Sequence, residues 1–339
     1  MQDALQQAEQ LLQEEKWHDA LQLLSVLNKE HEDVAVERKL VDTRIQAHRS
    51  MQWPEPAGEW AGEWDFPMAE TPRIMEFASS DFSARTLAEG ILGHGAMIVR
   101  GFVSPEVTAA LKECIDNTIQ AREADDVEDS PWDYESPYIT GKPKKFGSKD
   151  EEKRAKVKKG SIWVAESPRT MQKLIELYKA LGLKEVLTDY FAEPPALSVR
   201  KWVLRRILPD ANPADWHQDG RFMGTDFHSV NMWLPLVECG GGANAAGIEI
   251  IPSQRREIHE TGTRGAAFQW SVGRELVEDL ARELPVAHPH FNPGDALFFD
   301  HYNLHRTAFR PGLTESRYAV ESWFFSSSSV PARQMPIFF

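Results

Sequence analysis

Trp216-His217-Gln218-Asp219 is the stretch that decides this fold, together with His305 much further along the chain. Two imidazoles and one carboxylate in this order suit a non-haem iron(II) site, because they occupy one face of the metal and leave the opposite positions open. A single His-x-Asp triplet is weak support, since it occurs by chance in many chains. The triplet gains weight if both ends lie on neighbouring strands of one barrel.

The sequence around these residues predicts extended chain on both sides. On a strand, residues i and i+2 point to the same face, so His217 and Asp219 can reach one metal while Gln218 faces away. A Pro-Gly turn at residues 293–294 precedes an apolar run that ends shortly before His305. We therefore predict that His305 delivers the third ligand to the metal.

Other histidines compete for that role. His301 shares strand parity with His305, and the residues alone leave it open as a rival third ligand. His288 and His290 form another His-x-His pair, but they precede the Pro-Gly turn and are predicted to lie in a loop. His228 is predicted to line the pocket or the surface.

Short β-rich runs alternate with turn signals over the second half of the chain. Many short strands separated by Gly, Pro and Asn indicate an antiparallel sandwich or jelly roll. An apolar strand is also predicted at 96–102, a helix from Ser104-Pro105 to about residue 122, and a helix over 168–190. The β-rich runs are 197–207, 229–237, 247–252, 296–299 and 318–325.

The N-terminal region has a different pattern. Residues 3 to about 48 carry an apolar stripe at helical spacing, which predicts two antiparallel helices similar to a single tetratricopeptide-type hairpin. Repeats of that type normally need neighbours to cover their apolar faces. We therefore expect residues 1–50 to pack on the main domain or on a second subunit, with peptide binding as the alternative.

Residues 51–84 are rich in tryptophan and proline and are predicted to be a linker packed on the core, which leaves 85–330 as the main domain. Residues 142–159 form a basic block in an otherwise acidic chain. One interpretation is a mobile lid that attracts an anionic substrate. The other is a solvated surface excursion.

Composition excludes several classes of function. The formal net charge of −14 argues against nucleic-acid binding, which needs a basic surface. No apolar run approaches the roughly 20 residues of a membrane span, and the N-terminus lacks the features of a signal peptide. Cys114 and Cys239 are the only cysteines, as expected in a reducing compartment. The predicted location is cytoplasmic.

Further markers accompany the metal-binding pattern. Residues 104–106 read Ser-Pro-Glu after a strand-like run, 247–253 read Gly-Ile-Glu-Ile-Ile-Pro-Ser, and 293–295 read Pro-Gly-Asp before an apolar run. Together with His305 and Arg317, they make residues 87–325 resemble the phytanoyl-CoA dioxygenase family of iron(II)- and 2-oxoglutarate-dependent oxygenases. The resemblance implies a double-stranded β-helix, a cupin-like jelly roll with surrounding helices.

The resemblance also implies roles for individual residues. It makes His305 the third ligand in preference to His301, because Thr307 and Arg317 then stand at the family's offsets. A planar guanidinium can grip the distal carboxylate of 2-oxoglutarate through two parallel hydrogen bonds. The implied iron ligands are His217, Asp219 and His305, the implied clamp is Arg317 assisted by Thr307, and Trp233 and Lys201 are implied contacts of the co-substrate.

The implied reaction uses iron(II), 2-oxoglutarate and O2 to hydroxylate an unactivated C–H bond, with release of succinate and CO2. Asp219 favours hydroxylation over halogenation, because related halogenases have a small residue there. Desaturation and ring formation stay open. Where many relatives read Pro-Gly-Ser-His, residues 252–256 here read Pro-Ser-Gln-Arg-Arg. With the basic block, these arginines suggest an anionic group on a small or carrier-bound substrate.

Two alternatives belong to other classes of protein. One is a non-catalytic scaffold on a degenerate barrel, with residues 1–50 as the part that contacts a protein partner or a second subunit. The intact His217, Asp219 and His305 argue against it. The other is a cupin metalloenzyme that works without 2-oxoglutarate, for which Arg317 would serve no purpose.

Overall fold

The structure is a computed structural model that describes residues 2–50, 64, 66, 69–70, 72–124, 129–139, 148–211, 215–337 and 339. Residues 51–63, which include Trp53 and Trp60 of the predicted linker, lie outside this part of the chain. Within it, Trp64 donates its indole N–H to the carbonyl of Tyr190 at 3.4 Å and stacks on Phe66. This end of the predicted linker is thus packed on the core.

Three helices stand at the N-terminus, where the sequence analysis predicted two: α1 (Gln2–Gln13), α2 (Trp17–His31) and α3 (Val34–Ser50). The breaks between them fall at Glu15 and Glu32, which both adopt positive φ. Neither is a glycine or asparagine, the residues that usually mark a left-handed helix end. No local signal in the sequence therefore marks the additional break at Glu32.

Helix α3 attaches this region to the rest of the molecule. Val41 and Ile45 belong to the main hydrophobic core. The half-buried carboxylate of Asp42 accepts hydrogen bonds from Tyr134 and Ser136, both at 2.7 Å. The helices therefore pack on the main domain, which was one of the two arrangements expected.

The remaining helices surround a β-sheet. Helix α5 begins with Ser104 as its N-cap and ends one residue beyond the predicted position. The single helix predicted over 168–190 is two helices, because Gly182 adopts φ +62° and breaks it. The helices after α3 are α4 (Ala84–Ala88), α5 (Pro105–Glu123), α6 (Lys149–Lys158), α7 (Pro168–Ala180), α8 (Leu183–Phe191), α9 (Gly220–Met223) and α10 (Arg274–Leu280).

The described strands form one large sheet and two small ones. The large sheet has eight strands in the order β1-β2-β9-β5-β11-β4-β12, with β3 pairing β4. A smaller sheet pairs β10 with β7, and a third pairs β6 with β8. The strands are β1 (Met75–Ala78), β2 (Ala96–Arg100), β3 (Ser161–Trp163), β4 (Pro195–Ile207), β5 (Ser229–Pro235), β6 (Cys239–Gly240), β7 (Gly247–Ile251), β8 (His290–Phe291), β9 (Ala296–Phe299), β10 (Leu304–Ala308), β11 (Arg317–Ser326) and β12 (Pro336–Ile337).

The fold is a jelly roll with surrounding helices, as predicted. Almost all pairs in the large sheet are antiparallel, and β1 with β2 is the parallel pair. Strand β1 lies within the residues assigned to the linker, and β12 lies beyond the predicted end of the domain at residue 330. Among the described residues, no helix is long and apolar enough to cross a membrane.

The alternation of side chains on β9 separates two cores. Phe298 belongs to the cluster between the large sheet and the helices, where it contacts Phe82 and Phe102. Its neighbour Phe299 belongs to the cluster inside the barrel and lies 4.8 Å from the ring of His305. His305 therefore lies on the side of the sheet that faces the barrel interior.

Candidate metal centre

The predicted metal ligands converge on one point inside the barrel. His217 and His305 pair directly across two short extended segments, each donating its backbone N–H to the other's carbonyl at 3.0 and 3.1 Å. Asp219 follows two residues later on the same side of the chain. The ligand atoms of the three side chains all lie within 4.8 Å of one another, and no other such group occurs in the described part of the chain.

Each imidazole is oriented by a backbone carbonyl. The Nδ1 atom of His217 lies 2.8 Å from the carbonyl of Asp215, and that of His305 lies 3.1 Å from the carbonyl of Asn303. Metal-binding histidines normally donate one ring N–H in this way, which leaves the other nitrogen for the metal. Burial, followed by the neighbouring His217, lowers the pKa of His305 to about 4, so its imidazole is neutral. This donor set fits iron(II).

Asp219 is held in its ionised form. Burial opposes its charge, but Lys201, His217 and His305 outweigh that effect and hold its pKa well below the ordinary range. Lys201 donates to Oδ1 at 2.5 Å, while Oδ2 lies 3.7 Å from Nε2 of His305. One oxygen is therefore fixed by the ammonium and the other faces the two imidazoles. Lys201 thus contacts Asp219, a candidate metal ligand.

A buried cation lies at the start of β11. Arg317 is 5% exposed, donates to the carbonyl of Gly247 at 3.1 Å and lies 3.4 Å from the hydroxyl of Thr307. Its guanidinium lies 5.5 Å from the centroid of the Trp233 ring. Its Nε has no hydrogen-bond partner among the described residues. A buried donor without a partner is unusual and suits a site that receives an anion.

Glu321 and Arg205 also lie on this side of β11 and β4, although neither was predicted from the sequence. Arg205 donates to one carboxylate oxygen of Glu321 at 3.0 and 2.7 Å, and the indole N–H of Trp323 donates to the other at 3.2 Å. Glu321 lies four residues after Arg317 on β11, and Arg205 lies four residues after Lys201 on β4, so each pair shares one face of its strand. Period-two counting from those residues would have indicated them.

The competing histidines have other partners. His301 is fully buried, with Nδ1 2.8 Å from the hydroxyl of Ser229 and its ring 4.1 Å from that of Phe227. It is not part of the metal group. His288 and His290 lie in or beside short strands and pair with Glu249 and Glu238. His228 is half-buried, and desolvation lowers its pKa.

Several of the cations that suggested an anionic substrate are paired with carboxylates. Arg255 contacts Glu283 at 2.8 Å, and Arg256 lies 4.0 Å from Asp300 and over the ring of Tyr302. In the basic block, residues 142–147 lie outside the described residues. Two lysines of α6 form ion pairs with the main domain, Lys153 with Asp133 at 2.6 Å and Lys156 with Glu166 at 2.7 Å.

Comparison with known proteins gives a family match. The family model described as phytanoyl-CoA dioxygenase matches residues 92–309, which include all three predicted metal ligands. Curated proteins include no match to this chain.

Several solved structures are similar at low identity. EctD from S. alaskensis, in its apoform, has 16% identity and a TM-score of 0.49 over 83% of this chain and 90% of its own. AviO1 from Streptomyces viridochromogenes has 13% identity and a TM-score of 0.44 over 74% and 97%. SnoN, a non-haem α-ketoglutarate-dependent epimerase from nogalamycin biosynthesis, has 12% and 0.45 over 76% and 95%. The family match, and not these distant likenesses, is the basis of the assignment.

Proposed function

Because the chain belongs to the phytanoyl-CoA dioxygenase family of iron(II)- and 2-oxoglutarate-dependent oxygenases, we propose that it hydroxylates an unactivated C–H bond of a small substrate, with release of succinate and CO2. The observation that supports this most is the joint presence of the His217, Asp219 and His305 group and the buried, incompletely bonded Arg317. The first suits the metal, and the second suits a dicarboxylic co-substrate.

In this proposal, His217, Asp219 and His305 hold iron(II). When bound, iron with 2-oxoglutarate and O2 supplies an oxidant strong enough to attack a C–H bond. The protein contributes orientation. The carbonyls of Asp215 and Asn303 fix the two imidazole rings, so that the ligand geometry is formed in advance.

Arg317 holds the distal carboxylate of 2-oxoglutarate. Its Nε is available for a charge-assisted hydrogen bond, and Thr307 contributes a hydroxyl on the same side. Trp233 closes one wall of this pocket with an apolar ring, which excludes water from the ion pair. A carboxylate in this place gains more from the guanidinium than it would in water, because the effective dielectric constant is lower.

Lys201 is a positioning residue for Asp219. Its ammonium holds Oδ1, which leaves Oδ2 directed towards the imidazoles. The presence of a carboxylate at 219 favours hydroxylation over halogenation. Desaturation and ring formation use the same residues and depend on where the substrate lies, so they are the neighbouring outcomes.

The substrate in this proposal is small, and carrier-bound molecules are a variant of the same idea. In the basic block, Lys153 and Lys156 already contact carboxylates, so these two lysines do not support an anionic substrate. We also predict that residues 1–50 contact a protein partner or a second subunit. The predicted location is cytoplasmic.

An anaerobic titration of the metal-free protein with iron(II) and 2-oxoglutarate tests the proposal. Chelated 2-oxoglutarate gives a visible charge-transfer band, which should appear in the wild type and vanish in His217→Ala. Arg317→Ala should need at least about tenfold more 2-oxoglutarate, since about 1.4 kcal/mol of lost binding changes an affinity tenfold. Arg282→Ala, an exposed arginine just after the end of α10, is the matched control and should behave as the wild type.

The two alternatives give different results in the same experiment. A scaffold on a degenerate barrel would bind no iron and give no band. A cupin enzyme that works without 2-oxoglutarate would bind iron through His217, but 2-oxoglutarate would produce no band and Arg317→Ala would change nothing.

A further inference from the structure

Three aromatic side chains stand beside the first metal-ligand residue. The ring of Phe222 lies 6.4 Å from that of His217, and the ring of Trp270 lies 5.9 Å from it in an edge-to-face arrangement. Phe222 and Trp270 are 5.8 Å apart. Phe268 stacks on Trp270 at 5.0 Å with only 3° between the ring planes. We refer to Phe222, Phe268 and Trp270 as the aromatic platform.

Two of the three platform rings are exposed to solvent, although aromatic side chains are usually buried. Phe222 is 41% exposed and Phe268 is 40% exposed. In the described part of the chain only Val26 and Leu208 are comparable large apolar residues, and they are not in contact with the metal group. Single exposed apolar residues are ordinary, but a cluster next to a functional group indicates a binding surface.

The loop that carries two of these rings is fixed to the ligand segment. The N–H of Val272 donates to the carbonyl of Trp216 at 2.8 Å, one residue before the metal ligand. The N–H of Ala267 donates to the carboxylate of Asp215 at 3.2 Å. The hydroxyl of Ser271 accepts from the N–H of Phe268 at 3.0 Å, which fixes the turn between the two aromatic residues.

We propose that the aromatic platform binds the substrate and that the substrate carries an aromatic or conjugated planar ring. This inference rests on the proposed function, because a C–H bond can be oxidised only if it lies next to the metal. The rings beside His217 therefore lie where the substrate would be bound. Flat aromatic surfaces favour flat partners, since offset stacking adds attraction beyond the burial of apolar area.

A competing explanation is that the platform only shields the metal from water. The two explanations differ in what Phe268→Ala does. A recognition surface loses affinity for planar molecules, whereas a shield leaves that affinity unchanged and increases succinate release without substrate. Phe268 suits this test because its side chain is exposed at a loop, so its removal leaves the core intact.

The experiment compares two probes of the same size, 2-naphthol and its saturated counterpart decahydro-2-naphthol. Binding to the full-length protein is measured by calorimetry and by ligand-observed NMR, which need no turnover. We expect 2-naphthol to bind the wild type about tenfold more tightly than the saturated probe, and Phe268→Ala to lose about tenfold. Val26→Ala, an equally exposed apolar residue on α2, should retain wild-type affinity.

Equal affinity for both probes, or unchanged 2-naphthol affinity in Phe268→Ala, would overturn the inference. The 2-oxoglutarate band of the wild type is recorded on the same protein. A band without preference for the planar probe refutes this inference and leaves the proposed function intact. Absence of the band refutes the proposed function, and the platform inference with it, because the metal next to the platform would then have no oxygenase role.

Discussion

Replacing Arg317 by methionine should separate stability from co-substrate binding. Burial lowers the pKa of Arg317 to about 10. At about 1.4 kcal/mol for each pKa unit, this corresponds to about 3 kcal/mol spent on holding the charge inside the barrel. Methionine removes that cost but also removes the hydrogen bond to the carbonyl of Gly247, worth about 1 to 3 kcal/mol. The ligand-free variant should thus be at least as stable as the wild type, with a gain on the order of 1 kcal/mol.

The sign of the pH effect supports the same test. The pKa of Arg317 is lower in the folded state than in the unfolded state. The cost of burying its charge is therefore fully present below about pH 10 and diminishes only above it. The stability difference between Arg317→Met and the wild type should therefore be constant between pH 6 and 9. A difference that varied strongly in this range would point to another group.

The matched control is Arg205→Met, on β4, the strand that pairs with β11. That change leaves the buried carboxylate of Glu321 without its arginine, and breaking such pairs is strongly destabilising. Because 27% of the Arg205 side chain is exposed, we expect a loss on the order of 2 kcal/mol instead of the full effect. Urea unfolding of the three proteins should rank Arg317→Met and the wild type above Arg205→Met.

Adding 2-oxoglutarate to the iron-loaded proteins completes the assay. A ligand at one hundred times its Kd stabilises the folded state by about 2.7 kcal/mol. The wild type should show this increase, and Arg317→Met should lose most of it. The reasoning is refuted if Arg317→Met is destabilised as much as Arg205→Met, or if 2-oxoglutarate stabilises it as much as the wild type.

Further predictions concern other parts of the barrel. Lys201→Met removes the ammonium that orients Asp219 and should weaken iron binding by about 10- to 100-fold in a competition titration. Gly160→Ala should lower the melting temperature, with a loss of at least about 1 kcal/mol, because Gly160 adopts φ +55° and a Cβ would meet the carbonyl of Arg206 at 1.7 Å. Burial raises the pKa of Asp300 to about 6. The folded state therefore binds the extra proton, and stability from this group falls as pH rises towards 6. Asp300→Asn should stabilise the protein in urea unfolding at pH 7.5 and have little effect at pH 4; a stabilisation equal at both pH values would contradict this assignment.

The convergence of His217 and Asp219 could be predicted from the sequence, because residues i and i+2 of an extended segment point the same way. The structure differs in one respect, since His217 is extended but Asp219 is already the N-cap of α9. The choice between His301 and His305 could not be made that way. It depends on which of them pairs with His217, and the structure shows the backbone of His305 in that place.

Other features depend on contacts between segments that are distant in sequence. Period-two counting places Arg205 and Glu321 on the inner faces of their strands, but their pairing requires the register of β4 against β11, which no local pattern reveals. The platform residues Phe268 and Trp270 lie in an irregular loop, where no periodicity predicts the direction of a side chain. The extra helix break at Glu32 was missed because a non-glycine residue adopts the left-handed conformation there.

Helix α3 contributes to two hydrophobic cores at once. Val36 and Leu40 pack with α1 and α2, while Val41 and Ile45 pack into the main core. The sequence alone would place a domain boundary near residue 50. Proteolysis there would detach α3 and with it the contacts that Val41 and Ile45 make in the main core. The N-terminal helices and the barrel should consequently melt as one cooperative unit. A destabilising change in α1 or α2 should then shorten the time for which the whole protein stays folded at elevated temperature.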